Sequence, residues 1–233
     1  MEFARVLVVT AHPDDVDFGA AGTIAQFVDK GVEVTYLLVT AGDAGGHERE
    51  TDGEGMAELR RAEQAAAAKA VGVTDVRFLS GYRDGRVEPT IELRRDIAGV
   101  IRQVRPDLVI TSTPERNYQF IGPSHPDHRA VGATTLDAVY PDARNPYAYE
   151  ELAGLEPWTV GEVWLIGSMT PDHWVDITET IDRKLAALAA HASQVGHREG
   201  FEEFVRERWA GIAVKGGLGE GRYAEAFQVV PTA

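Results

Sequence analysis

The tripeptide His-Pro-Asp occurs twice in the sequence, each time shortly after an apolar stretch. The first copy lies in AHPDD at residues 11–15, directly after RVLVVT. The second lies in HPDH at residues 125–128, after DLVITS. The two copies supply six side chains that can bind a metal ion or transfer a proton, namely His12, Asp14, Asp15, His125, Asp127 and His128.

Histidine and carboxylate groups in this number favour an open metal site. A catalytic zinc ion takes three ligands from His, Asp and Glu and keeps one position for water. His12 and Asp15 are three residues apart, so one turn of chain can direct both at one point. His125 or His128 would supply the third ligand. A carboxylate that is not a ligand could then accept a proton from metal-activated water.

A purely structural role for the two segments is the simpler alternative. Ser124 is a good helix cap, and Pro126 suits a first helical turn. The first segment could likewise be a turn. Because two such segments are present, a shared site is the preferred interpretation, provided that the fold brings them together.

Strand and helix patterns alternate along the chain. Strands are predicted at residues 5–10, 33–40, 75–80, 107–112 and 162–167. Helices are predicted at residues 18–31, 57–73, 91–104, 126–139 and 178–195. This order predicts one α/β domain over residues 1–233, a Rossmann-like, doubly wound, mostly parallel sheet with helices on both faces. In common strand orders the first and fourth strands flank the ligand site, and these two strands precede the His-Pro-Asp copies.

Composition excludes several classes of protein. The net charge is −14, which disfavours nucleic acid and anionic membranes as partners. No apolar run approaches the length of a membrane span, and the N-terminus lacks a signal-peptide pattern, so we expect a cytoplasmic protein. Cysteine is absent, which leaves His, Asp and Glu as metal ligands. The sequence leaves open whether the chain forms a homo-oligomer.

The motifs resemble those of the LmbE-like, or PIG-L, family of zinc-dependent deacetylases. The resemblance rests on AHPDD and HPDH, on TAGDAG, on RRAEQAAAAKAVGV, and on HASQ and AEAFQVV near the C-terminus. It extends over almost the whole chain. It implies hydrolysis of an N-acetyl or other N-acyl group on a small-molecule glucosamine conjugate, with one Zn²⁺ per chain. Fe²⁺ or Co²⁺ would also suit a site with two histidines and one aspartate.

The resemblance also implies roles for the residues of the first motif and one of the second. His12, Asp15 and His128 would bind the zinc ion. Asp14 would be the general base that activates the attacking water, and it could later protonate the leaving amine.

Two further residues of the second motif receive roles in the same way. His125 would stabilise the oxyanion of the tetrahedral intermediate, and Asp127 would hold a histidine in place. Relatives often have Tyr-Gly before HPDH, whereas this chain has Pro123 and Ser124. An oxyanion tyrosine would therefore have to come from elsewhere, for example Tyr118. Relatives also often have Glu after HPDD, where this chain has Val16.

Substrate contacts are implied for three residues. Asp43 in TAGDAG, Arg60 in the following helix and Asp84 in GYRDG correspond to positions that face the sugar in relatives. From sequence alone, Arg60 is equally well explained as a solvated or ion-paired helix residue. The predicted loops 41–56 and 141–160 would either shape the site and select the substrate or be disordered.

Three other functions compete with a deacetylase. A nucleotide-dependent oxidoreductase would need GxGxxG after the first strand, where this chain has acidic residues. A two-metal phosphoesterase could use the six potential ligands, but phosphate substrates usually meet basic clusters. A metal-dependent sugar-binding protein would have little use for Asp14 beside the metal.

Overall fold

The computed structural model describes residues 3–45 and 53–232, which are arranged around one seven-stranded sheet. The strands are β1 Arg5–Thr10, β2 Glu33–Leu38, β3 Asp75–Phe78, β4 Leu108–Ser112, β5 Glu162–Ile166, β6 His173–Asp176 and β7 Ala224–Pro231. Their spatial order is β3-β2-β1-β4-β5-β7-β6. Strands β1 to β5 pair in parallel, and β7 pairs antiparallel with both β5 and β6.

The helices cover both faces of this sheet. They are α1 Asp15–Asp29, α2 Gly53–Val71, α3 Ile91–Val104, α4 Pro126–Val139, α5 Ile181–Ala189, α6 Ala192–Val195 and α7 Phe201–Lys215. Leu7 of β1 packs on one face with residues of α3 and α4. Val6 and Val8 pack on the other face with residues of α1 and α2. None of the helices in the described ranges combines the length and apolar character that a bilayer crossing requires.

The strand order reverses between β1 and β4. These two strands are neighbours with Val9 opposite Thr111, so their carboxyl ends lie side by side. Helices α1 and α4 begin just beyond those ends. The predicted doubly wound α/β fold is confirmed, and with it the meeting of the two His-Pro-Asp segments at one edge.

The five predicted strands are present, with ends that differ by up to two residues. Helices α3 and α4 have the predicted bounds, whereas α2 begins earlier, at Gly53. The predicted helix 178–195 is wrong as one element. The structure has a 3-10 turn followed by α5 and α6 in this range. The helix is interrupted at His191, whose buried ring contacts Asp17.

Three elements were absent from the prediction. Strands β6 and β7 form the antiparallel side of the sheet, and α7 packs beside β7. The sequence signal for α7 is the spacing of its buried residues Val205, Trp209 and Ala213 at every fourth position.

The two long predicted loops differ in outcome. Of residues 41–56, the structure describes 41–45 as loop and 53–56 as the start of α2, and residues 46–52 lie outside the described ranges. The expectation that residues 141–160 shape the site is wrong. This segment links the end of α4 to the start of β5, at the opposite edge of the sheet. There Arg102 donates to the carbonyl groups of Asp142 and Ala143.

A buried ion pair joins β7 to α1 and α5. Lys184 Nζ lies 2.6 Å from Glu225 Oε1, and both side chains are fully buried. The ammonium group also donates to the carbonyls of Asp17 and Phe18, at 2.8 and 2.7 Å. Glu225 accepts the N–H of Gly22 at 3.0 Å. Burial lowers the pKa of Lys184, although Glu225 opposes that shift. The last strand is thereby fixed to the helix that starts at the site.

Replacing Lys184 with Met should destabilise the fold strongly, because the buried Glu225 carboxylate would lose its cation. We expect the free energy of unfolding to fall by about 3–5 kcal/mol in urea denaturation. The double variant Lys184→Met/Glu225→Gln is the control, and it should recover part of the loss because no uncompensated charge remains. A single variant within about 0.5 kcal/mol of wild type would contradict this account.

Candidate metal centre

Two connections of unequal length carry the His-Pro-Asp segments beyond the carboxyl edge of the sheet. Residues 11–14 lead from the end of β1 into α1. The second segment starts α4 directly after the 3-10 turn Gly122–Ser124. The segments come from neighbouring strands, so sheet register determines how closely they approach each other.

Asp14 has an unusual backbone conformation. Its φ is 88° and its ψ is −28°, a left-handed conformation that residues other than glycine seldom adopt. Its carbonyl accepts the N–H groups of Asp17 and Phe18, both at 2.9 Å, and so begins α1. Such conformations persist where surrounding contacts hold them, and they are common at functional sites.

Three potential metal ligands, one each from His12, Asp15 and His128, converge between the two segments. His12 Nδ1 lies 3.2 Å from His128 Nε2. Asp15 Oδ1 lies 2.9 Å from His128 Nε2, and Asp15 Oδ2 lies 3.6 Å from His12 Nδ1. Ligands at 2.0–2.2 Å from a tetrahedral zinc ion would be about 3.4 Å apart. The spacing of the three groups therefore fits a common cation.

The other ring nitrogen of His12 faces two carboxylates. His12 Nε2 lies 3.0 Å from Asp127 Oδ2 and 3.0 Å from Asp84 Oδ1. Asp127 is itself held by the N–H of Gly85 at 2.7 Å. A carboxylate behind a ligand histidine fixes the orientation and tautomer of the ring. This contact keeps Nδ1 directed at Asp15 and His128.

His125 lies beside the three donors. Its ring centroid is 5.0 Å from that of His12 and 5.3 Å from that of His128. His125 Nδ1 accepts the N–H of Asp127 at 3.2 Å and so caps α4. Because Nδ1 accepts, the proton of the neutral ring must be on Nε2.

Burial and charge shift the acidity of these groups. Burial opposes the charge of His12, but hydrogen bonds to Asp127, Asp15 and Asp84 raise its pKa to about 12. Burial, together with the charge of Asp15, raises the pKa of Asp14 to about 6. Burial and the neighbouring His12 lower the pKa of His125. Carboxylates thus dominate the surroundings of His12, which favours a cation at this point.

Arg60 forms a wall of the site from α2. The residue is 4% exposed. Its Nη2 donates to the carbonyl of Pro13 at 2.7 Å and to Asp14 Oδ2 at 3.3 Å. Its Nη1 donates to the carbonyl of Gly42 at 3.2 Å. The structure therefore places Arg60 as a buried ion-paired residue against the carboxylate of Asp14.

Asp84 and Asp43 form a second wall. Asp84 Oδ2 lies 3.7 Å from Arg60 Nη1, in addition to the His12 contact. Asp43 accepts the N–H of Asp84 at 2.9 Å and Arg83 Nε at 3.2 Å. Of the three residues expected to contact the sugar, Asp84 thus contacts His12, Arg60 contacts Asp14, and Asp43 supports Asp84 from behind. Tyr118, in contrast, is 86% exposed and does not form part of this buried wall.

One residue at the site was not anticipated from sequence. Gln64 Oε1 accepts the N–H of Asp14 at 2.9 Å. Gln64 is fully buried and follows Arg60 by four positions on α2. This i, i+4 spacing places both polar side chains on one helix face, and it is the sequence signal that would have indicated Gln64.

A mostly parallel sheet with histidine and carboxylate ligands at its carboxyl edge is suited to metal-assisted hydrolysis. Comparison with known proteins supports this class of reaction. Residues 7–139 match the family model described as PIG-L, GlcNAc-PI de-N-acetylase. Diacetylchitobiose deacetylase of Thermococcus kodakarensis is 34% identical, with 97% of this chain and 83% of that protein covered. A probable N-acetyl-alpha-D-glucosaminyl L-malate deacetylase 2 of Bacillus cereus is 35% identical, with 82% and 83% covered.

A solved structure gives the same result. N,N'-diacetylchitobiose deacetylase of Pyrococcus horikoshii, in complex with an inhibitor, superposes with a TM-score of 0.89 at 32% identity. The alignment covers 99% of this chain and 85% of the other. The chain belongs to the PIG-L family and is a deacetylase. The predicted family and enzyme class are confirmed, and the phosphoesterase and sugar-binding alternatives are not favoured.

Gly42 should be sensitive to substitution, because a Cβ there would lie 2.2 Å from Arg60 Nη1 and its φ is +70°. Gly31 is the matched control, since its φ is +80° but nothing lies within 4 Å of an added Cβ. Gly31→Ala should cost about 1–2 kcal/mol for the backbone alone. Gly42→Ala should cost about 1–3 kcal/mol more in urea denaturation. Equal losses in the two variants would show that Arg60 is not held close to Gly42.

Proposed function

We propose that the chain is a metal-dependent N-deacetylase of N-acetylglucosamine conjugates, with one Zn²⁺ held by His12, Asp15 and His128. The convergence of these three donor groups within 3.6 Å is the observation that carries the proposal. Two imidazoles and one carboxylate suit Zn²⁺, and also Fe²⁺ or Co²⁺. Such an ion acts as a Lewis acid and lowers the pKa of the attacking water.

Asp14 is the proposed general base. Its carboxylate is held by Arg60 Nη2 at 3.3 Å, and it neighbours the ligand Asp15 in the chain. Arg60 orients the carboxylate without occupying both of its oxygens, which leaves one free to accept a proton from water. The same group can return that proton to the departing amine, because general base and general acid act in successive steps.

His125 is the proposed oxyanion donor. Its Nδ1 is occupied by the N–H of Asp127, so Nε2–H is the group that can donate to substrate. A donor that is fixed before the reaction stabilises developing charge without reorganisation. Asp127 therefore has two roles, since its backbone orients His125 and its carboxylate orients His12.

The substrate class comes from what the named relatives share. Those relatives act on diacetylchitobiose and on a glucosaminyl malate, which have an N-acetylated glucosamine unit in common. We assign Asp43, Arg60 and Asp84 to the walls of the site against which this sugar binds. We further propose that one catalytic domain of this kind spans residues 1–233.

The metal site is tested by elemental analysis of purified, tag-free protein. Wild type should contain about one zinc or iron ion per chain, because three donors converge on one point. His12→Ala should lose it. His173→Ala, which alters a histidine in β6, is the control and should keep the metal. Absence of stoichiometric metal after incubation with zinc, or its retention in His12→Ala, would overturn the ligand assignment.

The base is tested by acetate release from a panel of N-acetylglucosamine conjugates. Asp14→Ala should retain the metal but lower kcat by about 10²–10⁴-fold, the usual contribution of a positioned base. Asp137→Ala removes an exposed aspartate of α4 and should leave kcat unchanged. Full turnover by Asp14→Ala would refute the base assignment. Metal-loaded wild type that releases no acetate from any conjugate would refute the proposed function.

A further inference from the structure

Three fully buried polar side chains form a chain of hydrogen bonds beneath Asp14. They are Gln64 on α2, Asp17 on α1 and His191 at the break between α5 and α6. Gln64 Nε2 donates to Asp17 Oδ2 at 2.9 Å. His191 Nε2 lies 2.8 Å from the same oxygen. Buried polar groups away from water are retained when they hydrogen-bond one another, so this chain needs a structural or functional explanation.

The hydrogen bonds determine the orientation of the Gln64 amide. The N–H of Asp14 is a donor, so the side-chain atom that faces it must be the carbonyl oxygen Oε1. The amide nitrogen then faces Asp17 and donates to its Oδ2. His191 donates to that carboxylate through Nε2 and holds it in place. Each member thus orients the next, and the series ends at the backbone of Asp14.

The backbone of Asp14 is the part that needs support. Its left-handed φ of 88° is unfavourable for an aspartate, by about 1–2 kcal/mol. Arg60 contacts the Asp14 carboxylate but not its N–H. Gln64 therefore holds the peptide group, and Arg60 holds the side chain. The direction in which the carboxylate leaves the main chain depends on the first of these contacts.

We propose that Gln64, Asp17 and His191 are positioning residues that keep Asp14 in its left-handed conformation and so aim its carboxylate at the attacking water. We call these three the positioning network. The inference rests on the proposed role of Asp14 as general base. None of the three contacts the ligand atoms of His12, Asp15 or His128 among the hydrogen bonds described, so the network reaches the site through Asp14.

A structural role is the competing explanation, because the network also joins α1 to α2 and to α5–α6. The two explanations differ in what they predict for catalysis. Loss of helix packing would lower stability and leave kcat of the folded enzyme unchanged. Misdirection of Asp14 would lower kcat in folded, metal-loaded enzyme, with little change in KM.

The first test compares Gln64→Met with wild type and with Gln26→Met. Methionine keeps the length of glutamine and removes both hydrogen bonds. Gln26 is a matched control on α1, because its amide donates to the carbonyl of Asp176, away from the site. We expect Gln64→Met to lower kcat by about 100-fold, as small misplacements of catalytic groups do. KM and metal content should stay at wild-type values, and Gln26→Met should keep full kcat.

The second test adds a negative charge to the network. It also tests the proposal if Gln64→Met fails to fold. Gln64→Glu keeps the shape and the acceptor for Asp14 N–H, but it places a second carboxylate against Asp17. We expect a fall in kcat similar to that of Gln64→Met. Adding Asp17→Asn restores a donor opposite the new carboxylate and should recover kcat by about tenfold, the effect of one hydrogen bond.

Three results would overturn the positioning network. They are full kcat in Gln64→Met, a loss of metal that parallels the loss of kcat, and no recovery when Asp17→Asn is added to Gln64→Glu. These results are distinct from a failure of the proposed function. Wild-type enzyme that releases no acetate refutes both inferences, whereas active wild type with unimpaired Gln64 variants refutes the network alone.

Discussion

Four aspartates crowd around two imidazoles at one edge of the sheet, and their mutual repulsion is the constraint that the surrounding structure must offset. Asp14, Asp15, Asp84 and Asp127 all have side chains that are largely shielded from water. Buried carboxylates are stable only when they are paired or hydrogen-bonded. The groups that meet them are the rings of His12 and His128 and the guanidinium of Arg60. Backbone amides, such as the N–H of Gly85 on Asp127, complete the compensation.

The fold itself contributes to that compensation. Helices α1 and α4 both start at this edge, with Asp15 and Asp127 in their first turns. The amino end of a helix carries partial positive charge, so carboxylates are favoured there. A doubly wound parallel sheet brings two such helix starts together wherever strand order reverses. The acidic cluster therefore lies where this fold tolerates negative charge best.

Sequence patterns predicted the parts of the structure that are local. The continuous apolar run of β1 predicts a buried strand, and the spacing of apolar residues in α3 predicts a helix. The repeated His-Pro-Asp predicts the position of the site. Strand β7 was missed because AEAFQVVP forms only through pairing with β5 and β6, far away in sequence. The contact between Asp84 and His12 depends on Asp127 and Asp43, which are likewise distant. No periodicity in the chain encodes such contacts.

The segment 141–160 was misplaced for a different reason. Its length and its aromatic residues suggested a loop at the site, whereas it lies at the opposite edge of the sheet. A loop after a helix and before a parallel strand always returns to the amino edge. Once α4 was predicted to begin at HPDH, that conclusion was available from the predicted order of elements alone.

The metal donors and the base depend on different parts of the fold. His12 and Asp15 lie at the end of β1 and the start of α1, and His128 lies in the first turn of α4, so the pairing of β1 with β4 brings the two segments together. Asp14 is positioned by α2, which supplies Arg60 for its carboxylate and Gln64 for its peptide group. Helix α2 is in turn packed on α5 and α1 and joined to His191 through Asp17. A shift of α2 along α1 would therefore act on Asp14 through both its carboxylate and its peptide group. The strand order thus brings the metal ligands together, and the packing of α2 determines the direction of the base.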